Sequence, residues 1–178
     1  MGIEIERKYL IDKIPSNLEQ YPVHVIEQGY LNIYPAIRIR RDGENYYMTY
    51  KGVHSEDGIG QVEYNLPLYE PSYRHLLEKA DGRLIRKKRY IIPINEDAYD
   101  EAFLEAHPDI RARVKNGGIR IELDIFADSA PAPFEDLVLA EIEFPSEEAA
   151  AAYRPASWFG EDVTGQKEYS NAYLSGME

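Results

Sequence analysis

Hydrophobic and polar positions alternate along most of this chain, and the alternation predicts strands. Ile3 and Ile5 alternate with Glu4, Glu6 and Lys8, which predicts a strand over residues 2–11. Successive side chains of a strand point to opposite faces, so the charged members share one face. The same period of two runs through 24–32, 36–41, 45–51, 61–68, 83–92, 119–126 and 137–144. Asp42-Gly43 supplies a hairpin signal between the third and fourth of these. Elsewhere the spacing turns helical. Residues 71–80 carry an apolar stripe of Tyr73, Leu76, Leu77 and Ala80, with Pro71 in the first turn and Gly82 past the end. Asn95 as a cap starts a second helix that runs to Pro108 and leaves Arg111, Arg113 and Lys115 as a solvated basic cluster. Ser146 caps a helix over 147–153, and Thr164 opens a terminal helix that ends near Gly176. The pattern predicts an α+β protein on an antiparallel sheet, a single domain over residues 1–178.

Composition narrows the function classes. The formal charge of −12, from 32 acids against 20 bases, argues against a general nucleic-acid binder. With no cysteine there are neither disulfides nor thiolate metal sites. No apolar run is long enough to span a membrane, and the charged N-terminus is no signal peptide, so a cytoplasmic protein is expected. Gly58-Ile59-Gly60 opens no helix, and no GxxxxGK[ST] occurs, so phosphate-loop folds are excluded.

The polar faces themselves carry the chemistry. They are sorted by sign: Arg38 with Arg40 and Lys87 with Arg89, against Glu4 with Glu6, Glu122 with Asp124 and Glu141 with Glu143. A solvated face would mix charges with Ser and Thr. Like charges side by side repel in the empty protein, so the sorting points to ligands of both signs. A polyanion and divalent metal ions are the simplest pair. Acids without nearby His or Cys favour hard, oxygen-preferring cations over zinc. No Ser-His-Asp or Cys-His arrangement suggests a covalent intermediate.

Glu4-Ile5-Glu6-Arg7-Lys8 resembles the ExExK signature of the CYTH superfamily, the triphosphate tunnel metalloenzymes. The likeness continues through Arg38-Ile39-Arg40, Thr49-Tyr50-Lys51, Glu63, Lys87 with Arg89, Glu122-Leu123-Asp124 and Glu141-Ile142-Glu143. Trp158 to Thr164 is similar to small bacterial members. The resemblance implies a closed eight-stranded antiparallel barrel with peripheral short helices and a C-terminal helix across the tunnel mouth. It implies that Lys8, Arg38, Arg40, Lys51, Lys87 and Arg89 bind a triphosphate, with Lys167, Tyr169 and Asn171 as further contacts from the terminal helix. It implies a metal cluster of Glu4, Glu6, Asp124, Glu141 and Glu143, joined by Glu63 and Glu122, that binds Mg²⁺ or Mn²⁺, expected as two ions. Glu6, Lys8 and Glu143 are the expected catalytic group. Asn65 departs from the pattern where some relatives would carry a second acid after Glu63.

The expected activity is metal-dependent hydrolysis of a triphosphate, foremost inorganic tripolyphosphate, by direct attack of water. The resemblance also accommodates thiamine or nucleoside triphosphates, a class IV-type adenylate cyclase, or a non-catalytic polyphosphate or nucleotide sensor. The expected partner is a triphosphate-bearing small molecule, without nucleic acid or membrane, in a monomer or a homodimer.

Overall fold

The computed structural model describes residues 5–54, 61–126 and 134–176. Eight strands form one sheet in the order β1-β8-β7-β6-β2-β3-β4-β5. They are β1 (Ile5–Leu10), β2 (Val23–Asn32), β3 (Ala36–Asp42), β4 (Asn45–His54), β5 (Gln61–Pro67), β6 (Asp81–Pro93), β7 (Arg120–Phe126) and β8 (Val138–Phe144). Every pairing is antiparallel. Two meanders, β2-β3-β4-β5 and β6-β7-β8, are joined by the β2–β6 ladder, and β1 adds to β8. The β3–β4 hairpin closes with Asp42 opposite Asn45, and Gly43 at φ +58° takes the left-handed position its turn requires.

Because side chains alternate, the sign-sorted acids and bases fall on one face of the sheet, and the main apolar core of β1, β7 and β8 falls on the other. On the outer face of β1, β7 and β8, Tyr9, Ile121, Leu123, Ala140 and Ile142 are buried beneath helical segments. These segments are α2 (Glu101–Ala106), α3 (Pro108–Lys115) and α4 (Glu147–Ala152). The Ser146 hydroxyl accepts from the Ala149 N–H, so the predicted cap of α4 is present. The remaining early helix, α1 (Glu70–Leu77), buries Tyr73 against Tyr46 of β4. On the inner face a second apolar cluster gathers Ile85, Phe126, Leu137, Leu139, Val163 and Leu174.

Three expectations need correction. Pro108 ends one helix but opens another: residues 108–115 form α3, with Pro at its start, and the basic cluster lies on this helix with Arg113 and Lys115 exposed, as expected. Residues from Asn95 to Asp100 are not helical, and Asn95 donates to Asp97 rather than capping. The terminal segment is not one helix from Thr164. It breaks into a 3₁₀ turn at Lys167–Tyr169 and a short α5 (Asn171–Leu174), because the Thr164 hydroxyl and N–H are held locally by Asp162.

The barrel is the third. Among the described residues β1 and β5 are the sheet's two edges and share no ladder, so the sheet is not closed. The outer edge of β1 is occupied by residues 160–164. The N–H of Leu10 donates to the Glu161 carbonyl at 2.9 Å, the N–H of Val163 to the Lys8 carbonyl at 2.9 Å, and the N–H of Lys8 to Thr164 Oγ1 at 3.0 Å. A Cβ at Gly160 would lie 2.9 Å from the Leu10 carbonyl oxygen, so this backbone approach needs glycine. Arg7 fastens the same segment through Asp162 at 2.5 Å. No helix of the described residues is long and apolar enough to cross a membrane.

Leu174 has no solvent exposure, whereas Leu66 of β5 is 53% exposed. Truncating a fully buried leucine removes its contacts and leaves a cavity. Leu174→Ala is therefore expected to lower unfolding free energy by about 2–4 kcal/mol, and Leu66→Ala by under about 0.5 kcal/mol. Urea denaturation followed by fluorescence measures both. Equal losses would place the terminal segment outside the core.

Candidate active site

The register brings the charged inner faces into one cavity of about 560 Å³. On β3, Arg38 and Arg40 are two residues apart and share the inner face with Lys51 of β4 and Arg89 of β6. Across the cavity stand Glu6 and Lys8 of β1 and Glu141 and Glu143 of β8. Lys167, Ser170, Asn171 and Ala172 reach it from the terminal segment, so that part of the expected mouth-crossing geometry is present in a shorter form. Tyr169 faces the apolar cluster instead, and only its carbonyl, 3.5 Å from Lys8 Nζ, turns toward the charged lining.

Most of the inner cations are already held by acids. Arg89 donates from Nε and Nη2 to the two carboxylate oxygens of Asp124 at 2.7 and 2.6 Å, and from Nη2 to Glu141 at 2.7 Å. Its Nη1 meets Glu122. Lys87 lies beneath the cavity, with a fully buried side chain against the fully buried carboxylate of Asp124. Lys8 sits 3.0 Å from Glu141 and 3.6 Å from Glu6. Lys51 sits 3.0 Å from Glu63. Asn65 links Thr49 to Glu63: it accepts from the Thr49 hydroxyl at 2.7 Å and donates to Glu63 at 2.9 Å. The neutral amide that broke the expected acidic pattern thus ties down the one acid before it.

Electrostatics follow from this geometry. Burial, then the adjacent Arg89 guanidinium, pushes the Lys87 ammonium down to about 8 despite Asp124. Burial would raise the Glu141 carboxyl, but Lys87, Lys8 and Arg89 together hold it well below the usual carboxylate range. Lys8 goes the other way: burial would lower it, and Glu141 with Glu6 outweighs burial and raises it. Arg40 is lowered by burial and by Arg38, so the two guanidiniums repel each other.

Arg38 and Arg40 are the exceptions to acid pairing. Among the described residues neither has a carboxylate partner, and the Nε of Arg38 is buried with no hydrogen-bond partner. Arg40 instead donates to Gln28 at 3.0 Å and to the Tyr47 hydroxyl at 3.3 Å. Two uncompensated, partly buried guanidiniums side by side are chemically fitted to an anion.

The acids give a different picture. Glu6 and Glu143 are directly opposite each other across the β1–β8 ladder, and both line the cavity. Their carboxylate oxygens suit a hard divalent cation. Among the described residues no three acids or histidines converge closely enough to hold a metal ion. Glu122 and Asp124 are engaged by Arg89 and Lys87 and do not line the cavity, and Glu63 lies outside its lining as well. Glu4 falls outside the described residues. Of the histidines, His24 pairs with Asp42 at 2.9 Å and His107 with Glu148 at 3.2 Å, both away from the cavity.

Tyr47 and Thr49 share the inner face with Lys51, as alternation along β4 predicts. Sequence reasoning missed the rest of the uncharged lining. Tyr30, Ile33, Tyr34, Pro35 and Ala36 form one wall, and Gln28 shares the inner face. Alternation within β2 would have placed Gln28 and Tyr30 there, but neutral residues give no sign-sorting signal.

Known proteins are similar to this chain over nearly its whole length. The chain is 34% identical over 177 residues to an inorganic triphosphatase of Nitrosomonas europaea, covering 97% of this chain and 96% of that protein. It is 28% identical to an inorganic triphosphatase of Acetivibrio thermocellus, covering 98% and 94%. A crystal structure of an inorganic triphosphatase superposes with a TM-score of 0.64 at 31% identity, covering 100% of this chain and 97% of that one. The model of the CYTH domain matches residues 2–152. This chain belongs to the CYTH domain family.

Proposed function

We propose that this protein is a divalent-metal-dependent triphosphatase whose substrate is inorganic tripolyphosphate, bound within a tunnel that the curled sheet forms around it. The observation that carries this reading is the Arg38–Arg40 pair, two adjacent guanidiniums in a cavity without carboxylate partners among the described residues. The names of the two full-length relatives support the substrate. We read the chain as one domain, since a single sheet takes strands from Ile5 to Phe144 and the terminal segment packs back onto it.

Phosphoryl transfer asks a protein to neutralise charge, to position the chain of phosphates and to admit an in-line nucleophile. Arg38 and Arg40 supply planar donor forks for phosphate oxygens, and Lys51, Arg89, Lys8 and Lys167 bring further charge around the same cavity. Asp124 and Glu122 serve to lock Arg89, and Lys87 adds buried positive potential beneath it. Glu6 and Glu143, with Glu4 two residues earlier in sequence, are the acids assigned to a Mg²⁺ or Mn²⁺ ion, and Glu141 stands next to them in β8. Such an ion supplies charge neutralisation at the phosphates and acidifies an attacking water. The cation opposite the guanidinium pair would also relieve the repulsion between Glu6 and Glu143.

Purified protein is expected to release phosphate from tripolyphosphate with Mg²⁺ or Mn²⁺ and to lose that activity in excess chelator. A phosphate-release assay decides it, and undiminished turnover with chelator would remove the metal from the reaction. Glu143→Gln is expected to lower turnover by about 100-fold or more while leaving the melting temperature within a few degrees. An unfolded Glu143→Gln protein would make this acid structural.

For the anion seat, Arg40→Ala is expected to weaken tripolyphosphate binding by about 2–5 kcal/mol, since it removes a charged partner from a desolvated phosphate. Lys115→Ala, on the exposed end of α3, should change binding by well under about 1 kcal/mol. Titration calorimetry compares them. Equal effects would mean that the inner face of β3 is not where the phosphates bind.

A further inference from the structure

Arg38 and Arg40 are set apart by their neighbours. In the sheet Arg38 lies between Tyr30 of β2 and Thr49 of β4, and Arg40 lies between Gln28 and Tyr47. All four flanking residues are uncharged. Three other inner cations stand opposite acids: Lys51 faces Glu63, Lys8 faces Glu141 and Arg89 faces Asp124, while Lys87, opposite Phe126, reaches Asp124 diagonally. Strand β4 therefore separates the arginine pair from the acid of β5, while β2 and β6 separate it from the acids of β7.

Resting on the functional reading above, we propose that Gln28 and Tyr47 are positioning residues. They hold Arg40 by neutral hydrogen bonds, so that its charge stays uncancelled for a phosphate of the substrate. A carboxylate at position 28 would take the same N–H groups with a full negative charge, and the substrate would have to displace it. An amide oxygen and a phenol hydroxyl orient the guanidinium without competing for it. The Gln28 side chain is fully buried, accepts from Arg40 Nε through Oε1, and has an Nε2 with no hydrogen-bond partner. A buried donor without a partner is a cost in the empty protein. An acid in its place would offer no donor at all. Tyr47 completes the clamp from the opposite strand, with its hydroxyl at 3.3 Å and its ring centroid 5.9 Å from the guanidinium carbon.

A residue that merely fills space at position 28 predicts something different from a neutral anchor. Gln28→Glu conserves size and the acceptor oxygen but places an acid against Arg40. The anchor role predicts that stability and affinity move apart. In thermal melts Gln28→Glu should equal or exceed wild type, because it gains an ion pair. In titration calorimetry and steady-state kinetics its Kd and KM for tripolyphosphate should rise at least about tenfold, the scale of one charged hydrogen bond, with a much smaller change in kcat. Tyr47→Phe should raise KM a few-fold without altering the fold. A folded Gln28→Glu protein with wild-type Kd and KM overturns the proposal. If Gln28→Glu does not fold, an unchanged KM in Tyr47→Phe overturns it equally. A wild-type protein that neither binds nor cleaves tripolyphosphate overturns the functional reading itself, and this role with it.

Discussion

The carboxylate of Asp124 has no solvent exposure and touches two cations, Lys87 and Arg89. The rest of the inner face depends on this arrangement. An isolated buried charge costs several kcal/mol, and a buried pair offsets that cost only when its remaining donors and acceptors are satisfied. Here they are. Arg89 reaches Asp124, Glu122 and Glu141, and Glu141 in turn holds Lys8. This connected set of ion pairs crosses β6, β7, β8 and β1 in the order in which those strands lie. It fixes their register as firmly as their ladders do, because a one-residue slip would turn every one of these groups to the opposite face.

The two halves of the sheet are therefore electrostatically unlike. On the β6-β7-β8-β1 side, the cations Lys8, Lys87 and Arg89 are held by acids of the protein itself. On the β3 side, two guanidiniums face the cavity with uncharged cross-strand neighbours and no carboxylate partner among the described residues. A chain with a net charge of −12 repels a polyanion at a distance. At physiological ionic strength that repulsion is screened beyond about 8 Å. What decides binding is then the local potential at the cavity, where the unpaired arginines act at contact range in a partly buried setting. An acid anywhere along β2 or β4 on the inner face would erase this difference. The positions of neutral residues thus carry as much of the electrostatic design as the positions of charged ones.

The balance between what could and could not be read from sequence follows the same logic. All eight strands, their alternation and the membership of the charged face were legible, since period-two patterning fixes which side a residue takes. Glu6, Lys8, Arg38, Arg40, Lys51, Arg89, Glu141, Glu143 and Lys167 all line one cavity. Alternation does not say which acid meets which base. Asp124 and Glu122 looked equivalent to Glu6 and Glu143 in sequence, yet cross-strand neighbours place the first two against Arg89 and Lys87. Alternation put Tyr47 on the face of Lys51, but Gln28 gave no signal because a single neutral residue on a mixed strand is unremarkable. Pro108 was ambiguous for a physical reason: proline ends a helix and also suits the first turn of the next. The terminal segment failed as a helix prediction because Asp162 satisfies Thr164 locally, which no periodicity reveals.

The open edge of β1 explains why the terminal segment cannot be one uninterrupted helix. An edge strand presents unpaired N–H and C=O groups, which must be met by something. Residues 160–164 meet them in an extended conformation, through Lys8 and Leu10, and a helix there would have turned its own N–H groups inward. Only after Gly165, at φ +76°, does the chain turn and become helical in two short pieces. That turn brings Lys167 and Asn171 to the cavity and Leu174 to the inner apolar cluster. The same strand that presents Glu6 and Lys8 is consequently held from outside by the segment that supplies Lys167. The two ends of the chain thus line the cavity together. A change that loosens residues 160–164 from β1 would displace Lys167 from one wall of the cavity and free the outer edge of the strand that carries the other.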